Sequence, residues 1–198
     1  MWEFGPGIPD TLFVRGKVPM TKEEIRVLVL ARLRLRPELV VWDIGAGTGS
    51  VAVEIARMCP GGKVFAIEKD EEACQLIHRN RERFGVKNLE IVTGEAPQIL
   101  STLPAPDRVF VGGSGERTGP ILREVKVCLR EGGVIVATAV TIETVHAASI
   151  LLERWGFTVE VVLLNLAVAR KEGRKHLFVA RNPVYIWSAW RENHGFSG

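Results

Sequence analysis

The chain predicts an α/β fold, a three-layer sandwich in which helices cover both faces of a mostly parallel, seven-stranded sheet. Three observations predict it. Five apolar runs of strand length alternate with five helical patterns, an order that requires crossover connections and therefore a parallel sheet. The first strand runs straight into alternate glycines, Gly45, Gly47 and Gly49, and then into an amphipathic helix. Two further β-rich runs near the C-terminus lack a crossover helix between them, so they are expected to pair antiparallel.

A Pro- and Gly-rich arm occupies residues 1–20. The stretch that follows reads as a helix from Thr21 through Leu30, with Thr21 as N-cap and Glu24 at the capping-box position. The first strand is expected at 39–43, and Val51, Val53, Ile55 and Ala56 mark the apolar positions of a helix over 49–58. Strand 63–67 ends at Glu68, and helix 70–83, strand 89–92, short helix 95–101 and strand 108–111 follow. Helix 117–129, strand 133–138 and helix 141–155 complete the repeats. The runs 157–164 and 176–181 are expected to form a terminal hairpin across a short basic connection. After Pro183 comes an aromatic tail with Tyr185, Trp187 and Trp190, expected to pack on its own domain or on a subunit neighbour. The expected organisation is one domain, with an arm at 1–20, a core at 21–183 and a tail at 184–198.

Composition narrows the function classes. With 198 residues, 46% of them hydrophobic, the chain supports one well-covered α/β domain. A net charge of +3 with 25% charged residues lacks the concentrated basic character of a nucleic-acid binder, yet it suits an anionic small molecule. Cys59, Cys74 and Cys128 lie far apart without metal-ligand spacing, so buried free thiols are expected, with neither zinc nor disulfides. No basic and apolar leader opens the sequence, and no apolar run reaches the roughly 18 residues of a membrane span, so a cytoplasmic protein is expected.

The glycine loop carries the chemistry. Glycine tolerates positive φ and lets backbone approach a ligand, while the helix starting near Thr48 or Gly49 aims its free N–H groups into the same crevice. The dinucleotide fingerprint G-x-G-x-x-G needs glycine or alanine at position 50, where this chain has Ser50. A carboxylate at Glu68, closing the second strand, offers acceptors only and suits a vicinal diol that donates two hydrogen bonds. The plainer reading of the same residues is a tight turn and a helix-capping acid.

The spacing Asp43-x-Gly45-x-Gly47-x-Gly49 resembles the first motif of class I, Rossmann-like methyltransferases, which use S-adenosylmethionine and release S-adenosylhomocysteine. In that family the last strand inserts antiparallel into the sheet. Segments outside the loop are more specific. Gly7-Ile8-Pro9-Asp10 and Val18-Pro19-Met20-Thr21 precede the first strand; Gly94-Glu95-Ala96-Pro97, Gly112-Gly113-Ser114-Gly115 and Thr138-Ala139-Val140-Thr141 follow the third, fourth and fifth. Together they resemble the CbiT-type decarboxylating precorrin methyltransferases of cobalamin biosynthesis, over most of the chain.

The resemblance implies C15 methylation of cobalt-precorrin-6B with loss of the ring C acetate carboxyl, giving cobalt-precorrin-7. It also implies a homo-oligomer, with a tetramer as the assembly that precedent suggests, and a separate C5-methyltransferase acting in the same pathway. Carried over, the cofactor positions are Thr21, Gly45, Ala46, Gly47, Thr48, Gly49 and Glu68, with Ala96 near the adenine and Glu95 at its edge. Family members commonly have Cys at the Ala46 position and Asp where Glu68 or Glu95 stands.

An anionic tetrapyrrole calls for cations around an apolar wall. Substrate-side candidates are Arg15 and Lys17 in the arm, Arg117 after the glycine pair, and Arg170, Lys171, Arg174 and Lys175 in the late connection; each taken singly reads more readily as solvated surface, and only their clustering in segments flanking the expected cleft ranks them. Ser114 offers a hydroxyl or amide to substrate, or is simply a turn residue. His78 and His146 read as helix-surface or packed residues, His176 as a substrate-side candidate, and Glu143 as an acid favoured by a helix N-terminus. No catalytic base is assigned, since methyl transfer from a sulfonium gains much of its rate from positioning and desolvation. Two other functions fit the same loop: a class I methyltransferase acting on RNA or protein, which the absence of an Asn-Pro-Pro-Tyr-like tetrad weakens for base amino groups, and a non-catalytic cofactor-binding scaffold.

Overall fold

The computed structural model describes residues 2–113 and 117–191. Its helices are α1 (Glu23–Arg32), α2 (Ser50–Met58), α3 (Glu71–Phe84), α4 (Thr118–Cys128) and α5 (Ile142–Arg154). The strands are β1 (Val40–Ile44), β2 (Lys63–Glu68), β3 (Leu89–Thr93), β4 (Arg108–Val111), β5 (Val134–Ala139), β6 (Thr158–Leu164), β7 (Ala167–Glu172), β8 (Lys175–Ala180) and β9 (Val184–Trp190). Seven of them form one sheet in the order β3-β2-β1-β4-β5-β9-β6, and β7 and β8 form a separate hairpin.

Strands β1 to β5 are parallel and nearly continuously apolar, as strands covered on both faces must be. Side chains alternate between two cores. Val41, Val64 and Ala66 join Ile8, Phe13, Val29, Leu30 and Ile55 beneath α1, α2 and α3, whereas Trp42, Phe65, Val109 and Ile135 meet Leu122, Val145 and Leu152 of α4 and α5. Helix ends follow local chemistry: Asp70 Oδ1 accepts the Ala73 amide at the start of α3, and Gly85 ends that helix in the left-handed region. No helix among the described residues is long and apolar enough to cross a membrane.

Three expectations are corrected. Strand β6 pairs not with 176–181 but with β9, which lies antiparallel between β5 and β6, from Leu164↔Val184 to Thr158↔Trp190. The aromatic run expected as a tail is therefore an interior strand. The physical reason is that an interior strand must bury both faces: Ile186 joins one core and Trp187 and Ala189 the other, while β8 leaves Leu177, Phe178 and Val179 exposed. The expected basic connection is itself β7, joined to β8 by a two-residue turn at Gly173 and Arg174.

The second correction concerns α1, which begins at Glu23 without a cap from Thr21; a carboxylate distant in sequence, Asp10 Oδ1, accepts the Glu23 amide at 3.0 Å instead. Third, the expected helix 95–101 is a turn followed by a 3-10 helix at Leu100–Thr102. Proline at position 97 disfavours helical backbone at the residue before it, Ala96, so a helix cannot run through 95–96. Of the thiols, Cys59 and Cys74 are buried and free, and Cys128 is free but only half-buried.

Candidate functional site

A cleft of about 910 Å³ opens at the carboxyl ends of the parallel strands, the place where open α/β sheets bind ligands. Its floor is the glycine loop after β1. Gly45 has φ +74°, and a Cβ there would overlap the Gly112 carbonyl, because the loops after β1 and β4 cross in contact. The Gly45 and Ala46 amides both donate to the Ile67 carbonyl, which ties the loop to β2.

Glu68 closes β2 and faces the cleft. Its Oε2 accepts the Gly47 amide at 2.9 Å, and its Oε1 accepts the amides of Lys69 at 2.8 Å and Asp70 at 3.1 Å. Three of the roughly four acceptor sites of a carboxylate are thus filled by backbone, which fixes the group without neutralising it.

Beneath the loop lies Asp43, fully buried, whose two oxygens lack a hydrogen-bond partner among the described residues. Burial pushes its carboxyl up to about 7; the nearby Ala52 amide opposes that rise and the charge of Glu68 adds to it. Thr48 Oγ1 is likewise buried and unpartnered among those residues.

Residues 18–22 of the arm wall one side of the cleft. Arg26 holds this arm in place from inside the protein. With no exposed surface, it donates from Nε to Glu54 Oε1 at 2.7 Å, from Nη1 to Asp10 Oδ1 at 2.7 Å and the Thr21 carbonyl at 2.5 Å, and from Nη2 to the Ile8 carbonyl. Glu54 also accepts the Gly7 amide at 2.7 Å. A second clasp is Asn80 on α3. Its side chain donates to the carbonyls of Thr48 and Val14 and accepts the Val14 amide, so one amide joins the arm to the glycine loop.

On the opposite wall, Lys69, Glu95 and Arg117 converge. Glu95 Oε1 accepts from Lys69 Nζ at 3.0 Å and pairs with Arg117 Nη1. The Arg117 guanidinium and the Lys69 ammonium hold the Glu95 carboxyl down at about 2. At the end of β5, Thr138, Val140, Thr141 and Thr144 add an uncharged wall, and Thr141 Oγ1 caps α5 by accepting the Thr144 amide.

Among the expected cofactor positions, Thr21, Gly45, Ala46, Gly47, Glu68, Glu95 and Ala96 line this cleft, whereas Thr48 and Gly49 lie under the loop, outside the lining. Gly49 packs against Ile77, where a Cβ would come within 2.9 Å. Of the substrate-side candidates, Arg117 lines the cleft; Arg15 and Lys17 are exposed elsewhere on the arm, and Arg170, Lys171, Arg174 and Lys175 lie on the β7–β8 hairpin. Ser114 lies outside the described residues. His78, His146, His176 and Glu143 are exposed and do not line the cleft. No group of three or more His, Cys, Asp or Glu side chains among the described residues is arranged to hold a metal ion.

Sequence reasoning missed Asp10, Arg26, Glu54 and Asn80. Arg26, Glu54 and Asn80 share one signal, a charged or amide residue at a core-facing helical position, which becomes specific only once the partners are known; Asp10, on the arm before α1, carries no such signal.

The anchored Glu68, facing the cleft, and the close-approach loop fit a nucleoside-bearing ligand. Comparison with known proteins agrees. Residues 11–191 match the family model described as precorrin methyltransferase domain. The chain is 45% identical over 193 residues to the probable cobalt-precorrin-6B C(15)-methyltransferase (decarboxylating) of Pyrobaculum calidifontis, covering 96% of this chain and 98% of that protein. Its fold matches the crystal structure of a precorrin-6Y C5,15-methyltransferase from Geobacter metallireducens with TM-score 0.87 at 42% identity, covering 94% of this chain and 96% of the other. A precorrin 8W decarboxylase from Methanobacterium thermoautotrophicum gives TM-score 0.86 at 36% identity, with 91% and 98% covered.

Proposed function

Since the chain belongs to the precorrin methyltransferase family, we propose that it methylates C15 of cobalt-precorrin-6B in this cleft, with loss of carbon dioxide from the ring C acetate. The observation that carries the reading is Glu68, held at the end of β2 by three backbone amides and open to the cleft. S-adenosylmethionine supplies an electrophilic methyl group on a sulfonium. Gly45, Ala46 and Gly47 would bear its methionine portion, Glu68 would accept the ribose hydroxyls, and Ala96 would pack near the adenine. A diol docking on Glu68 takes the remaining acceptor site and replaces the Gly47 amide on Oε2.

The chain's part in the reaction is then to orient and to exclude water. Arm residues 18–22, clamped by Arg26, close one side, and Val140 with the threonines of β5 and α5 forms the other. The meso carbon of the reduced tetrapyrrole acts as an enamine-like nucleophile, and departure of the acetate carboxyl as carbon dioxide returns its electron pair to the ring. No side chain is needed as a strong base for the methyl transfer.

Calorimetric titration with S-adenosylhomocysteine, then turnover of cobalt-precorrin-6B with mass analysis, tests the reading. A product that gains one methyl and loses carbon dioxide supports it; cofactor binding without turnover refutes the substrate, and absence of binding refutes the enzyme.

The same reading includes a homo-oligomer in the cytoplasm, where free thiols persist. The contact surface we favour is the β7–β8 hairpin, where Phe178 is 78% exposed beside Leu177 and Val179. Phe178→Asp is expected to lower the mass in solution, measured by light scattering; an unchanged mass rules out the hairpin.

A further inference from the structure

The three charged side chains on the wall opposite the arm come from loops that are not neighbours. Lys69 follows β2, Glu95 follows β3 and Arg117 follows β4, and in the sheet β2 and β1 stand between β3 and β4. The Glu95–Arg117 contact therefore reaches across the carboxyl ends of two strands, at the rim of the cleft.

Among the described residues the charges do not balance. Two cations share a single oxygen, Glu95 Oε1. A guanidinium carries five donors in a fork suited to bidentate carboxylate binding, and the one oxygen contact that Arg117 makes among the described residues uses little of it. The side chains of Lys69, Glu95 and Arg117 are 61%, 40% and 49% exposed. Ion pairs that open to water contribute little and are readily exchanged. The cleft's other cation, Lys22, is paired with Asp10 at 3.5 Å, and its other carboxylate, Glu68, is held by backbone amides. The wall formed by Thr138, Val140 and Thr141 carries no charge.

We propose that Glu95 is a resident stand-in for a substrate carboxylate: it keeps Arg117 and Lys69 oriented at the rim of the cleft and yields the Arg117 fork to a carboxylate of the incoming anionic macrocycle. This rests on the tetrapyrrole reading above and adds what selects that ligand. An uncharged macrocycle has nothing to exchange for Glu95 and leaves the ion pair lying across the rim. Glu95 is thereby a specificity-determining residue for the macrocycle.

Binding of two probes separates these roles: uroporphyrin III, a porphyrin bearing eight carboxylates, and S-adenosylhomocysteine, each titrated into wild type, Glu95→Gln, Arg117→Ala and the double variant. Glu95→Gln frees both cations and is expected to tighten porphyrin binding about threefold. Arg117→Ala is expected to weaken it about tenfold, and the gain from Glu95→Gln shrinks in that background. The affinity for S-adenosylhomocysteine stays within about twofold in all variants, since one charge step there would register as more. Unchanged porphyrin binding in Glu95→Gln overturns the proposal, as does a selective loss of S-adenosylhomocysteine affinity, which would return Glu95 to the nucleoside. If wild type binds no S-adenosylhomocysteine, the cofactor reading is what fails, and the porphyrin titrations still decide the role of Glu95.

Discussion

Arg26→Ala is expected to cost far more than a typical surface change, although Arg26 does not line the cleft. The side chain is wholly buried and bonds Glu54, Asp10 and the carbonyls of Thr21 and Ile8. Its removal leaves Glu54, itself 2% exposed, as a buried carboxylate with only the Gly7 amide to compensate it among the described residues. Breaking such a pair from one side costs about 3–5 kcal/mol. For a chain of this length that is roughly 10 °C in Tm. The assay is urea unfolding followed by circular dichroism, read as a change in midpoint at constant slope. Removing both charges together, with Arg26→Met and Glu54→Leu, should recover most of the loss, because the penalty comes from the stranded charge. A loss below about 1 kcal/mol in Arg26→Ala, the range of an exposed pair, would refute the reasoning.

Two further outcomes follow from the floor of the cleft. Asp43 holds its proton in the folded protein up to about pH 7, whereas the unfolded chain releases it near its ordinary value. Between those values the folded state binds more protons, so stability is greatest on the acid side and falls as pH rises towards 7. Asp43→Asn removes that slope, and the stability difference between wild type and variant should shift by on the order of 4 kcal/mol between about pH 4 and pH 8; parallel profiles in thermal unfolding would count against it. Glu68→Ala should weaken S-adenosylhomocysteine binding by about 30-fold or more, the loss of charge-assisted hydrogen bonds, while stability falls by no more than about 1 kcal/mol. Equal affinity by calorimetry would remove Glu68 from the ribose.

The strands and helices that were legible in sequence are those whose burial writes a local pattern. β1 to β5 are apolar runs between turn signals, and the Asp43 to Gly49 segment announces its loop by composition alone. β9 was not legible, because Val184-Tyr185-Ile186-Trp187-Ser188-Ala189-Trp190 has the aromatic alternation of several structures at once, and only its two flanking partners make it a strand. β8 misled for the converse reason: Leu177, Phe178 and Val179 look like core and stand in solvent. At the site, Glu68 and the glycines were readable from order along the chain. Asp10, which caps a helix thirteen positions away, and Asn80, which binds Val14 and Thr48, act across distances that no local window contains.

The position of β9 also bears on how the chain reaches its fold during synthesis. Among the described residues β6 pairs in the sheet only with residues 184–190, which leave the ribosome after it. Until they arrive, β5 presents an open edge and β6 has no sheet to join, the condition in which nascent chains pair with one another. A chain interrupted between Leu164 and Val184 keeps every residue of the glycine loop and Glu68, yet lacks the strand that joins β6 to the sheet. Early termination is thus expected to produce an association-prone fragment rather than a smaller working protein.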